Sequence, residues 1–283
     1  MQVARHGSGP VAALRAFTSQ IHPIFMLPPI ASSWFGATLA GTFSVRLGLV
    51  HSVAVFAGLY TAHVKDGYVD FYGRGEDDDH PLTAGGCRLA LAGATALFFL
   101  AAGALFLLID AVAALLTLPG WVIGYFHAPQ LDTNPVSATT GYPLGVALAL
   151  LGGYYVQATA FAPVVVSFAA VFLVILSGIK VIDDATDVEY DRSISKRTVA
   201  VAVGRERAHL TAYGLMGAGL LAVVVLSVAA VFPPSTLAAV AAFAAVAAFA
   251  RRADPELATM LLIRGSYLFL AVLVAAVWFR PFS

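Results

Sequence analysis

The sequence has few charged residues and a single cysteine. Only 11% of its 283 residues are Asp, Glu, Lys or Arg, whereas an average soluble domain has about 25%. Because 60% of the residues are hydrophobic, a soluble protein of this size could not cover its surface with so few charges. The composition excludes an ordinary soluble enzyme, a disordered chain and a free nucleic-acid binder. With Cys87 alone, no intramolecular disulfide can form.

Long apolar runs are what the sequence has instead. A transmembrane helix needs about 20 mostly apolar residues, and nine runs approach this length. Gly and Ala are dense in them, and such small residues let helix backbones approach closely in lipid. We therefore predict an all-α, polytopic membrane bundle of about nine transmembrane helices, forming one domain over residues 1–283. The predicted spans are 22–42, 44–64, 88–107, 109–126, 143–161, 163–182, 208–231, 235–250 and 258–279.

The charges are concentrated at one end of these helices. If the N-terminus is inside, the inner segments hold 13 of the 16 Lys and Arg residues. Cytoplasmic loops of membrane proteins carry such an excess, so we predict a cell-membrane protein with a cytoplasmic N-terminus and an external C-terminus. The inner segments are 1–21, 65–88, 127–142, 180–207 and 251–257.

Two inner segments hold 11 of the 16 Asp and Glu residues, and their acids share one spacing. Asp66 and Asp70 are four residues apart, as are Asp183 and Asp187, and the two pairs are offset by 117 residues. Each pair follows an even-numbered span. This pattern predicts a duplicated helical unit that brings its two acidic ends together. The pseudo-repeats would cover about 22–126 and 143–250, with a final helix at 258–279.

The acidic pairs predict a metal–diphosphate site. Carboxylates at i and i+4 share one helix face, and two such pairs facing one cavity supply the hard oxygen ligands that Mg²⁺ prefers. Mg²⁺ shares its coordination with phosphate oxygens, and an apolar bundle above the site suits a hydrocarbon tail. A polyprenyl diphosphate has this shape. Four cations beside the second pair are candidates for binding the diphosphate: Lys180, Arg192, Lys196 and Arg197. Lys180 could instead be a snorkelling interface residue.

The second acidic segment carries a longer motif, DDATDVEYDRSISKRTVAVAVG, over residues 183–204. It resembles the run N-D-x-x-D-x-x-x-D-R, followed by G-K-R-T and an apolar stretch ending in Gly, of the UbiA superfamily of membrane prenyltransferases. Asp183 stands in the Asn position. The matching residues are Asp184, Asp187, Asp191, Arg192, Lys196, Arg197, Thr198 and Gly204.

The first acidic segment, DGYVDFYGRGEDDD, is similar to the family's N-D-x-x-D-x-x-x-D pattern but departs from it. Asp66 stands in the Asn position and Asp70 matches. Gly67 stands where an Asp is usual. Arg74 occupies the third acidic position, unless the loop shifts and Asp77 serves instead. The acids of 76–79 could equally be a solvated run.

The resemblance covers essentially the whole chain, including the number of helices and the place of both motifs. It implies Mg²⁺-dependent transfer of a prenyl group from its diphosphate to a lipophilic acceptor. The residues that it carries over as Mg²⁺–diphosphate ligands are Asp66, Asp70, Asp183 and Asp187, with Asp191 supporting them. Four tyrosines are candidates for stabilising the allylic cation: Tyr68, Tyr125, Tyr154 and Tyr155.

The acceptor is indicated by a narrower resemblance. The stretches DGYVDFYGRGEDD and FHAPQL (126–131) look like those of 1,4-dihydroxy-2-naphthoate polyprenyltransferases. This resemblance implies an aromatic acceptor such as a quinone precursor. A carotenoid or a glycerophosphate lipid is the alternative acceptor within the same superfamily.

Two other functional classes compete with this interpretation. A transporter would place ionisable groups near the bilayer midplane, and here Arg264, Asp110 and Pro163 would have to carry that role. Asp110, near the boundary of the third and fourth spans, is better explained as a helix cap or as a residue that faces water between them. A CDP-alcohol phosphotransferase would show D-x-x-D-G-x-x-A-R, which KDGYVDFYGRG does not match.

Overall fold

The protein is helical throughout the part that the structure describes. The computed structural model describes residues 2–280, and these contain no β-strand. The predicted all-α class is therefore confirmed. The helices are α1 (Pro10–Thr18), α2 (Pro23–Leu39), α3 (Val45–Tyr68), α4 (Ala84–Leu108), α5 (Ala111–Phe126), α6 (Pro135–Ala158), α7 (Pro163–Thr186), α8 (Val188–Ser193), α9 (Val199–Val203), α10 (Arg205–Val228), α11 (Leu237–Ala250) and α12 (Pro255–Phe279). π-Helices follow α3 and α5, at Val69–Arg74 and His127–Leu131, and a 3₁₀ turn, Pro234–Thr236, precedes α11.

Seven helical segments are long and apolar enough to cross a membrane: α4, α6, α7, α10 and α12, together with α3 and α5, each counted with the π-helix that follows it. Each of the nine predicted spans coincides with a helix. However, α2 has only 17 residues and α11 only 14, fewer than the roughly 20 that a bilayer requires. The chain is a multi-pass membrane bundle, and within residues 2–280 the count of nine spanning helices is not confirmed.

The largest difference from the predicted spans is in segment 127–142, which was expected to connect two spans. It is mostly helical: a π-helix covers His127–Leu131, and α6 begins at Pro135, eight residues before the predicted span. The Asn134 side chain accepts a hydrogen bond from the backbone N–H of Val136 at 2.9 Å and so starts the helix. Hydropathy misses the first two turns of α6 because many of their residues are polar.

The chain forms two compact units, and the first comprises residues 2–132 and Leu148–Phe161. In this unit α3 packs along α4 and α5. The contact is close, because a Cβ added at Gly124 would lie 2.4 Å from the Gly58 carbonyl oxygen. Small residues at helix contacts are typical of membrane proteins. The core here consists of Ala54, Ala57, Phe98, Ala101 and Ala102.

The second unit comprises Thr133–Ala147 and residues 162–280. In it α7 packs along α10, and Gly219 provides the space for the Ile175 side chain. Phe243 of α11 and Phe269 of α12 are in ring contact at 5.5 Å. This packing leaves α7 mostly buried. The predicted pseudo-repeats, at 22–126 and 143–250, stay a prediction.

The residues before α1 fasten the loop between α3 and α4. The backbone N–H of Arg5 donates to the Pro81 carbonyl, and that of Thr83 donates to the Val3 carbonyl, both at 2.9 Å. The Thr83 hydroxyl caps α4 by accepting from the Gly86 N–H at 2.9 Å. These bonds fix the loop that carries His80.

Candidate functional site

The first acidic segment lies where α3 changes its helical pitch. Asp66 is in the last turn of α3, and Asp70 is in the π-helix Val69–Arg74 that continues it. Both carboxylates are partly buried. π-Helical turns are rare and occur frequently at functional sites. The structure thus places Asp66 and Asp70 at the end of a membrane helix, where the sequence predicts them.

Arg74 binds one of the two carboxylates that were predicted to hold metal. Its Nη1 lies 3.5 Å from Asp70 Oδ1 and 3.4 Å from Glu76 Oε1, and its Nη2 lies 2.7 Å from Asp132 Oδ2. The side chains of Arg74, Glu76 and Asp132 are only 12%, 4% and 9% exposed. Burial at this level protects ion pairs from screening by salt. Asp132 follows the π-helix His127–Leu131. Arg74 therefore joins the first acidic segment to the chain that follows α5.

A side chain at position 67, where this motif usually has Asp, would meet His80. A Cβ at Gly67 would lie 2.8 Å from His80 Nε2. His80 is buried, and its Nδ1 is 3.1 Å from the Leu82 carbonyl oxygen. An Asp at position 67 could therefore enter only if the imidazole moved.

Glu76, and not Asp77, is the third acid of the first segment. Its backbone N–H donates to the Asp70 carbonyl at 2.8 Å, and its carboxylate faces Arg74. Asp77, Asp78 and Asp79 are exposed. An Asp79 oxygen lies 2.7 Å from His6 Nε2. Desolvation raises the pKa of Asp79, but the hydrogen bonds from His6 and from the His80 backbone outweigh it, so the pKa is lowered. The alternative of a mostly solvated run is thus confirmed for Asp77–Asp79.

The second acidic segment begins in the last turns of α7. Lys180 Nζ lies 2.5 Å from Asp184 Oδ1 and 3.3 Å from Asp183 Oδ2. The Asp184 side chain is 6% exposed, whereas that of Asp183 is 47% exposed. Asp184 is therefore the more enclosed of the two neighbours. Asp184 matches the motif, but it is not among the predicted site residues, because the 117-residue offset selects Asp183.

The segment continues through a turn into α8. Asp187 lies between α7 and α8 and is exposed, whereas Asp191 is buried. The Thr198 hydroxyl donates to Asp191 Oδ2 at 3.3 Å, and the backbone N–H of Lys196 donates to the Asp191 carbonyl at 2.9 Å. Burial raises the pKa of Asp191 against the opposing effect of the Lys196 charge. Asp191 thus ties the end of α8 to the start of α9.

The four predicted diphosphate-binding cations have different surroundings. Lys180 is bonded to the acids of α7, and Lys196 is partly buried next to Asp191. Arg192 is exposed and pairs with Glu189 at 3.1 Å. Such a surface pair contributes little to stability. Arg197 is exposed. Lys180 and Lys196 are therefore the two cations placed among the carboxylates of this segment.

The two segments differ in how well they fit a metal ion. Within residues 2–280 no three His, Cys, Asp or Glu side chains are arranged to hold one. Asp184 Oδ2, however, is buried and has no hydrogen-bond partner, which is unusual for a buried carboxylate oxygen. The oxygen donors of the second segment are those that Mg²⁺ prefers, so this segment fits the ion. In the first segment Arg74 contacts Asp70, so a metal ion bound there would lie close to a cation.

Not all of the candidate tyrosines lie near an acidic segment. Tyr68 is in ring contact with Tyr72 at 5.3 Å, next to Asp70. The Tyr155 hydroxyl instead donates to Asp110 Oδ2 at 2.8 Å, beyond the far end of α4. A helix of 25 residues is about 37 Å long. Tyr155 is therefore remote from the first acidic segment.

Asp110 is a helix cap, as predicted. Its Oδ1 accepts a hydrogen bond from the Ala113 N–H at 2.9 Å. This bond, with that from Tyr155, lowers the pKa of Asp110. Pro163 begins α7, and Arg264 is exposed on α12. None of these three residues forms the buried ionisable site that a transporter would need.

Comparisons with solved structures identify the fold. A UbiA homolog from Aeropyrum pernix K1 matches with a TM-score of 0.68 and 17% identity, over 93% of this chain and 98% of that one. A UbiA homolog from Archaeoglobus fulgidus, bound to GPP and Mg²⁺, matches with a TM-score of 0.61 and 20% identity, over 94% and 99%. The chain has the UbiA fold.

A third structure, of a digeranylgeranylglyceryl phosphate synthase, has a TM-score of 0.71 at 15% identity, over 93% of this chain and 98% of that one. No family model and no curated protein matches the sequence. At these identities the likeness concerns the fold, and the activity has to be argued from the residues of this chain.

Proposed function

We propose that the protein is a Mg²⁺-dependent prenyltransferase of the UbiA superfamily, located in the cell membrane. One observation carries the proposal: Asp184 has a buried oxygen without a partner, among the carboxylates at the end of an apolar membrane helix. The motif over residues 183–204 supports it. So does the fold, because a structure that shares it contains GPP and Mg²⁺.

Asp183, Asp184 and Asp187 would hold the metal ion, and Asp191 would keep the segment in place. Bound there, Mg²⁺ would neutralise the charge that develops on a diphosphate leaving group. The segment is pre-organised for this, because Thr198 and the backbone of Lys196 fix Asp191. Fixed donors and charges need little reorganisation during the reaction.

Lys180 and Lys196 would bind the diphosphate. The ammonium of Lys180 already lies at the carboxylates, so it can donate to an anion held beside them. A lysine head is a compact charge on a flexible stem, which allows it to move from Asp184 to a phosphate oxygen. The apolar helices around the site keep water from the allylic cation.

The proposal is tested by prenyl transfer from geranylgeranyl diphosphate, measured in nanodiscs. We expect Asp184→Asn and Asp187→Asn each to lower kcat/KM more than 100-fold, because the metal ligands act on the developing charge. The matched control is Asp78→Asn, an exposed acid in the first segment, which should keep wild-type activity. Full activity in both site variants would refute the proposal.

For the acceptor we propose an aromatic quinone precursor, as the resemblance to 1,4-dihydroxy-2-naphthoate polyprenyltransferases implies. A glycerophosphate lipid has equal support, because one structure with this fold is a digeranylgeranylglyceryl phosphate synthase. Lipid mass spectrometry of a deletion strain separates the two. Loss of prenylquinone supports the first acceptor. Intact quinone with altered core lipids supports the second.

A further inference from the structure

The first acidic segment contains its own cation. The Arg74 guanidinium contacts Asp70, Glu76 and Asp132 with N–O distances of 3.5, 3.4 and 2.7 Å, and all four side chains are at most 15% exposed. A guanidinium stays protonated at any physiological pH and binds carboxylates in a fixed planar geometry. A metal ion that bound Asp70 would have to displace this charge or lie close to it.

The position beside Asp66 is closed as well. An Asp at position 67 would bring a carboxylate to the same end of α3, but its Cβ would lie only 2.8 Å from His80 Nε2. Movement of His80 is restricted, since Pro81 and Thr83, which follow it, are hydrogen-bonded to Arg5 and Val3. The segment is thus left with Asp66 and with Asp70 and Glu76, which Arg74 already contacts.

The second segment shows the contrast. There Lys180, whose side chain is 34% exposed, meets Asp183 and Asp184, and Asp187 is exposed. A flexible ammonium is more easily displaced from a carboxylate than a buried guanidinium that three acids hold.

We propose that Arg74 replaces a metal ion in the first acidic segment, so that this protein binds its divalent ions through residues 183–191 alone. The inference rests on the proposed function for the metal at the second segment. Arg74 then supplies a permanent positive charge near Asp66, without dependence on the metal concentration. On this proposal Asp66 and Asp70 are not metal ligands, contrary to the prediction from the sequence.

The test counts Mn²⁺ ions bound to the full chain in nanodiscs by electron paramagnetic resonance. We expect Asp70→Asn to bind as many ions as the wild type, with a Kd within about twofold, because Arg74 already excludes metal from Asp70. We expect Asp187→Asn to weaken binding at least tenfold. A loss of one ion in Asp70→Asn would overturn the inference.

Removal of the guanidinium gives the opposite test. Arg74→Met leaves three buried carboxylates without their cation, and we expect it to gain one Mn²⁺ per chain. Arg88→Met, an exposed cation of the same inner segment, is the matched control and should gain none. Should Arg74→Met not fold, Arg74→Gln serves instead, because its amide can still donate to Asp132. An unchanged ion count would overturn the inference.

These outcomes are distinct from a failure of the proposed function. If Asp187→Asn does not alter Mn²⁺ binding, the metal site at the second segment is wrong. The Arg74 variants still report on the first segment in that case, since a gained ion does not depend on Asp187.

Discussion

The cations inside the two acidic segments account for much of their different chemistry. The Arg74 side chain is 12% exposed and contacts three carboxylates, whereas that of Lys180 is 34% exposed and contacts two. Both segments look alike in the sequence, with acids four residues apart. The contacts of the basic residues therefore decide which segment can take a metal ion, and spacing alone does not reveal them.

Thr198 has two roles that a single substitution removes. Its hydroxyl donates to Asp191 and accepts from the Val201 N–H as the cap of α9. We expect Thr198→Val to lower the free energy of unfolding by about 1–2 kcal/mol, seen as a lower melting temperature in detergent. Thr211→Val is the control, because that exposed hydroxyl bonds only within its own helix. Equal melting temperatures for the two variants would contradict this role.

The cap at Asp110 predicts a pH-dependent stability. Because the Ala113 N–H lowers the pKa of Asp110, the carboxylate stabilises the fold above its unfolded-state pKa, and this contribution is lost as the pH falls through the lowered value. We expect Asp110→Ala to melt below the wild type at pH 7, with the difference shrinking in acid.

Asp110→Asn keeps the capping oxygen without the charge, so its melting temperature should fall less at pH 7 than that of Asp110→Ala. A difference between Asp110→Ala and the wild type that does not change with pH would show that the ionised carboxylate adds no stability.

Among the helices, the contact of α2 with the second half of α6 depends on glycine. A Cβ at Gly153 would lie 2.0 Å from the Ser33 carbonyl oxygen, and one at Gly36 would lie 2.0 Å from the Leu150 carbonyl oxygen. We expect Gly153→Ala to destabilise the protein by about 1–3 kcal/mol, as overpacking does. Gly145→Ala, in the same helix but with open space around it, should melt like the wild type. The melting temperatures of the two variants in detergent test this expectation. An equal fall in melting temperature for Gly153→Ala and Gly145→Ala would contradict the role of Gly153 in the packing.

Hydropathy predicted the helices better than it predicted their ends. Each apolar run became a helix, because the bilayer leaves backbone groups no partner outside one. The π-helix after α3 and the early start of α6 were missed, since both consist of polar or mixed residues. The motif over residues 183–204 pointed to most of the residues that form the second acidic segment. The contact of Arg74 with Asp132 joins residues far apart in the chain, and no local pattern shows it.

For the whole molecule, the distribution of Lys and Arg predicts the orientation in the membrane. We propose that the N-terminus is cytoplasmic and the C-terminus external. In a Cys87→Ala background, a membrane-impermeant maleimide should label Ser8→Cys only from the cytoplasmic side and Arg280→Cys only from outside. Labelling of both from one side would contradict an odd number of membrane crossings.

The central claim is that the second acidic segment binds a prenyl diphosphate together with Mg²⁺. Calorimetric titration of the protein in nanodiscs with a non-reactive thio analogue of geranyl diphosphate tests it most directly. We predict that Mg²⁺ tightens binding at least tenfold in the wild type and in Asp78→Asn, but not in Asp184→Asn. Equal affinity with and without Mg²⁺ in the wild type, or full Mg²⁺ dependence in Asp184→Asn, would contradict the account.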